Sequence, residues 1–131
     1  MPKAPLRELY LDVRDIVIYG LVVNYLRAVD EVFWKNPTPG FIRKTVGLQA
    51  LFEVLGELLP DQLATRDLTE KAWRVWLLRA AKIDFTDRLF NASGSGRNRV
   101  KNALLIAMDR RKLSDVSDDL QVDFRRVLAV R

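Results

Sequence analysis

Residues 38–60 read TPGFIRKTVGLQALFEVLGELLP, and the reading of this stretch decides the fold. Phe41, Ile42, Val46, Leu48, Leu51, Phe52, Leu55, Leu58 and Leu59 recur at three- and four-residue steps. That spacing makes a wide apolar stripe on a helix, not the alternation of a strand. Thr38 is placed to cap this helix and Pro39 to take its first position, where a missing N–H costs nothing. Pro60 is expected to end it.

The same period appears on both sides. Upstream, Leu6, Leu9, Tyr10, Val13, Val17, Gly20, Asn24 and Ala28 predict a helix over residues 6–34. The β-branched run at residues 16–18 would suit a strand, but the helical pattern continues through Tyr25, Leu26, Val29 and Phe33. Gly20 in this helix is expected to admit a neighbour closely or to kink it. Downstream, Asp67 followed by Glu70 has capping-box spacing for a third helix carrying Trp73 and Trp76. Both tryptophans read as core. Residues 82–90 are ambiguous, with Asp84 placed to cap a short turn over 85–90. The Gly/Ser turn at residues 91–96 precedes a fourth helix over 97–112. A fifth, behind Ser117, spans 118–130. The expected fold is all-α: one domain over residues 1–131, a bundle of about five helices, either complete or a C-terminal part of a larger protein.

Composition narrows the chemistry. The chain has 131 residues, 49% hydrophobic and 30% charged, a globular mixture. It has no cysteine and no histidine, which removes disulfides, thiolate nucleophiles, the commonest metal ligand and the commonest general base. Glu53 with Glu57, and Asp84 with Asp87, have spacings that can hold a cation or share a proton. Such pairs are ordinary on solvated helices, so no catalytic residue, metal or cofactor is assigned, and the protein is read as no enzyme. No apolar run is long enough to span a bilayer and the start does not read as a signal peptide, so a cytoplasmic protein without membrane contact is expected.

The net charge is +5. Between residues 91 and 112, Arg97, Arg99, Lys101, Arg110, Arg111 and Lys112 stand against Asp109 alone, an excess equal to that of the whole chain. A local excess of this kind points to a polyanion partner. Its informative part is Ser93-Gly94-Ser95-Gly96-Arg97-Asn98-Arg99, with Lys101 one turn on. Glycines let backbone N–H groups turn outward, a helix N-terminus attracts anions, and guanidinium groups fork onto phosphate. Arg97 and Arg99 also sit at the end of a helix where the dipole disfavours cations. The run is neither a Walker loop nor a dinucleotide fingerprint, and the ordinary reading of the same residues is a surface loop with solvated arginines. Arg110, Arg111 and Lys112 read as a helix C-terminus, where cations are favoured. Arg43 and Lys44, joined by Thr45 and Gln49, form a second, smaller basic spot.

Residues 24–28 (NYLRA), Phe33-Trp34 and residues 42–51 (IRKTVGLQAL) resemble the C-terminal helical part of bacterial DGQHR-domain proteins, relatives of the repressor-like protein of DNA phosphorothioation systems. The Gly/Ser turn behind Phe90 fits the same pattern. The Asp-Gly-Gln-His-Arg motif itself is absent. The resemblance therefore implies a C-terminal or stand-alone portion working in bacterial DNA modification or defence, with Lys44, Thr45 and Gly47 as the positions of interest. Two functions follow as expectations: a binding module for nucleic acid or another phosphate-bearing ligand, or a protein-interaction or homo-oligomerisation domain with no polyanion affinity.

Overall fold

The computed structural model describes residues 15–91 and 94–128, and within them the protein is an all-α bundle. Five α-helices are present among the described residues: α1 (Asp15–Val29), α2 (Thr45–Thr65), α3 (Glu70–Leu78), α4 (Gly96–Ala107) and α5 (Asp118–Leu128). No strand occurs among the described residues. None of these helices is long and apolar enough to cross a membrane. The expected starts and ends beyond residues 15 and 128 lie outside the described part.

Packing pairs α2 with α4 and α1 with α3. The two pairs are joined at Tyr25 of α1, which is fully buried. Its hydroxyl donates to the Leu51 carbonyl of α2 at 2.6 Å. Its ring meets Trp73 of α3 edge-on, with centroids 5.4 Å apart. Burial pushes the Tyr25 hydroxyl well above its ordinary pKa, so it stays a neutral donor. Leu51, Leu58, Leu77, Leu104, Leu105 and Phe124 complete the centre of the core.

Several helix ends differ from expectation, and each difference has a tertiary cause. Thr38 caps nothing; its N–H donates to the Asn36 side chain at 3.0 Å. Pro39 instead precedes a 3₁₀ turn, Gly40–Arg43, and α2 starts only at Thr45. The turn is tied down by the Phe41 N–H, which donates to the Phe85 carbonyl at 2.9 Å. Gly40 makes that approach feasible. It has φ +69°, and a Cβ there would lie 2.4 Å from the Phe85 oxygen.

Pro60 does not end α2, which runs on to Thr65 and stops at Arg66 in the left-handed region, φ 60°. Pro60 has no N–H to offer the carbonyl one turn back, and that residue is Gly56, exposed and open to solvent. The neighbouring Glu57 carbonyl accepts from Arg110 Nη2 at 2.9 Å. The third helix starts at Glu70, capped by Thr69, whose Oγ1 accepts from the Ala72 N–H at 3.3 Å; the Asp67–Glu70 box does not form. Asp67 supports the cap from outside by accepting from the Thr69 N–H and hydroxyl. Asp84 folds onto Thr86, and Asp87 caps the short turn Arg88–Phe90. Behind Ser117, the Leu120 N–H in the first turn of α5 donates to the Ser117 carbonyl at 2.9 Å.

Gly20 admits no close neighbour among the described residues, since a Cβ there would meet none of them within 4 Å. Upstream of the 3₁₀ turn, α1 passes into a π turn, Asp30–Trp34. α4 ends at Ala107, earlier than expected, in a Schellman closure: Asp109 (φ 63°) follows the cap, and the Arg110 N–H reaches the Leu105 carbonyl at 2.8 Å. Arg110, Arg111 and Lys112 thus lie past the helix.

Candidate functional site

The order of cross-helix contacts shows how α2 and α4 are aligned. Gly96 sits against Val46. Arg97 Nε lies 3.0 Å and Lys101 Nζ 3.2 Å from the two oxygens of Glu53. Arg111 Nη2 lies 3.3 Å from Glu57, and Arg110 pairs with Asp61. Residue numbers rise together along both helices, so they run parallel. Parallel dipoles repel, and an acidic stripe at 53, 57 and 61 facing basic residues offsets that repulsion.

This ladder accounts for most of the basic segment. Arg97 and Lys101 share one carboxylate, and Arg110 and Arg111 each hold another. Arg110 also lies over the Trp76 ring, 5.8 Å from its centroid. Arg99 turns inward, donating from Nη1 to the Leu89 carbonyl at 3.1 Å, while its Nε is buried with no partner. The arginines that oppose the helix dipole therefore face partners inside the molecule. Lys112 makes no ion pair among the described residues.

A parallel pair also places both N-termini at one end. There, Lys44, Thr45 and Val46 at the start of α2, Gly96 at the start of α4 and Asn91 behind the Arg88–Phe90 turn line a groove of about 410 Å³, over Phe41 and Phe90. Neither helix has a side-chain cap among the described residues. The first helical bonds are Leu48 N–H to Lys44 carbonyl and Arg99 N–H to Ser95 carbonyl, both 3.0 Å. The N–H groups of Thr45, Val46 and Gly47, and of Gly96, Arg97 and Asn98, thus have no acceptor in their own helix.

Glycine makes the junction possible. A Cβ on Gly47 would lie 2.3 Å from the Phe41 oxygen and 2.4 Å from that of Ile42; one on Gly96 would lie 2.9 Å from the Phe90 oxygen. Real Cβ atoms do not come that close, so the two helix starts can sit where they do only without side chains.

A second groove, of about 330 Å³, adjoins the first. It is lined by Trp34, Arg43, Lys44, Thr45 and Leu48, so Lys44 and Thr45 belong to both. Lys44 Nζ rests 5.4 Å from the centre of the Phe41 ring. The Trp34 indole is anchored by its N–H, 3.3 Å from the Ile42 carbonyl. Among the described residues no carboxylate lines either groove. The hollow between α1 and α3, by contrast, is edged by Asp30, Glu31 and Glu70.

Of the residues singled out in the sequence, the structure gathers Lys44 and Gly96 in one groove and Arg43 beside it. Gly94 (φ 79°) and Ser95 form the turn leading into α4, and Asn98 is exposed on its first turn. Ser93 lies outside the described residues. Arg97, Arg99 and Lys101 line neither groove. The sequence did not mark Trp34, Leu48, Phe41 or Phe90 as groove residues. Only the Phe33-Trp34 pair immediately before the proline break hinted that an aromatic would end near Lys44.

The paired carboxylates do not gather. Glu53 and Glu57 are held by α4 and the segment behind it, and Asp84 by Thr86. Asp87 is held by Arg126 Nη2 at 2.8 Å. That guanidinium, helped by the Leu89 N–H, keeps the Asp87 carboxyl below the ordinary aspartate range. Among the described residues no three acidic side chains are grouped to hold a metal. Compared with protein-family models, curated proteins and solved structures, the chain matches none.

Proposed function

We propose that this protein binds a phosphate-bearing ligand, nucleic acid foremost, in the groove where α2 and α4 begin. One observation carries the reading: among the described residues, two uncapped, parallel helix N-termini meet beside Lys44 in a lining free of carboxylates. Each N-terminus contributes about half a positive charge, and unpaired N–H groups are ready donors to phosphate oxygens. Arg43 and Lys44 make no ion pair among the described residues, so their charge is available, whereas Arg97 and Lys101 stand in reserve on Glu53. The setting proposed is a bacterial DNA-modification or defence system.

Fluorescence anisotropy with labelled DNA and RNA tests it. Binding is expected at low salt and to fall steeply as salt rises. Arg43→Ala combined with Lys44→Ala should weaken it about tenfold or more, the effect of losing charged hydrogen bonds. Absence of binding at low salt, or indifference to that double substitution, would sink the proposal.

The second reading is a protein-interaction or oligomerisation domain. It draws on exposed apolar side chains spread over four helices, among them Tyr19 (73% exposed), Val75 (56%) and Val122 (68%). A stable dimer in light scattering, with no polyanion affinity, would favour it.

A further inference from the structure

We infer that the ligand is a nucleotide unit, whose phosphate sits at the helix starts while its unpaired base lies against Trp34 in the adjoining groove. The inference rests on the phosphate reading above and names the rest of the ligand. Lys44 and Thr45 line both grooves, so a molecule at the helix starts lies beside the space bounded by Trp34, Leu48 and Arg43. Both grooves carry aromatic side chains, Phe41 and Phe90 in the first and Trp34 in the second. The walls of the second are an indole, a leucine side chain 37% exposed and an arginine. The indole is held by the Ile42 carbonyl, so its orientation is set before any ligand arrives.

An aromatic and an aliphatic wall with a cation at the rim suits a flat, π-rich ring, which stacks on tryptophan and on guanidinium alike. Inorganic phosphate or polyphosphate would use the helix starts and leave the Trp34 groove empty. A duplex keeps its bases stacked inside and has none to offer. An unpaired base attached to a phosphate fills both. The shared chemistry belongs equally to a free nucleotide and to a single strand.

The experiment titrates the full-length chain at low salt with four probes: pyrophosphate, a mononucleotide, a short oligothymidylate and a duplex of the same length. Affinity is read by competition and stacking by tryptophan emission. The single strand or the mononucleotide should bind at least about tenfold more tightly than pyrophosphate, as stacking of one base implies, and should quench emission. Preference for the oligothymidylate assigns the site to nucleic acid; equal binding of the mononucleotide assigns it to free nucleotides. In Trp34→Phe, which keeps a stacking ring, binding should persist and most of the quench should vanish. Leu48→Asn, at an exposed position, should weaken the single strand and leave pyrophosphate unchanged. If pyrophosphate binds as tightly as the nucleotides, if the duplex binds best, or if the quench survives Trp34→Phe, the base seat is overturned and the phosphate reading stands. If no probe binds, both fall.

Discussion

Two basic regions of this protein look alike in sequence and end differently in space. The cations at 97–112 outnumber those at 43–44 and hold the chain's whole charge excess, yet most of them are spent within the fold. Glu53, Glu57 and Asp61, one turn apart on α2, take up Arg97, Lys101, Arg111 and Arg110, and the interior takes Arg99. Among the described residues, Arg43 and Lys44 have no such acids opposite them and border grooves without a carboxylate. A charge surplus along the chain becomes a surface property only after subtracting what the neighbouring helix supplies.

The most damaging way to break this contrast is to separate the two helix starts. Gly47→Val puts side-chain atoms onto the backbone of Phe41 and Ile42. It should cost on the order of 3 kcal/mol in urea unfolding, at the upper end of overpacking effects, or prevent folding. Next comes the spent region. Arg110→Ala removes the bonds to Asp61 and the Glu57 carbonyl and the contact over Trp76, and should cost about 1–2 kcal/mol. Lys112→Ala should stay within about 0.5 kcal/mol. Equal losses in the two variants would mean that the cations behind α4 are not divided into spent and free.

Glu53→Gln sharpens the same point from the acid side. It should cost about 0.5 kcal/mol, since the pair is half-exposed and screened. It also releases Arg97 and Lys101, so polyanion binding should tighten a few-fold while its salt dependence steepens. The smallest expected effect concerns a pair away from both regions. Arg126 depresses the Asp87 pKa, so this contact stabilises the fold above the ordinary aspartate pKa and is lost as pH falls below about 4. The urea midpoint should drop over that range, and Arg126→Ala should flatten part of the drop.

The number of helices was legible because apolar residues at three- and four-residue steps leave few alternatives to a bundle. Helix ends were less so. The Thr38-Pro39 signal is local, and it lost to a hydrogen bond between Phe41 and Phe85, far apart in sequence. Pro60 breaks an isolated helix, but here the unmatched carbonyl falls on exposed Gly56 and Arg110 reaches in beside it. For the site, the Lys44–Gly47 and Asn91–Arg99 segments were each visible as motifs. That they share one groove depends on α2 and α4 running parallel, which periodicity does not encode. Which cations are paired inside the molecule is hidden for the same reason: the acid facing Arg97 and Lys101 lies more than forty residues away.

The glycine-built junction also bears on inheritance. At 40, 47 and 96 any side chain would enter neighbouring backbone, whereas at 20 and 56 an added methyl meets open space. Under mutation selected only for folding, the first three should stay fixed and the other two drift towards better helix formers such as alanine. The spacing of the fixed three, seven residues and then forty-nine, is a signature by which distant kin could be recognised even after every charged residue had changed.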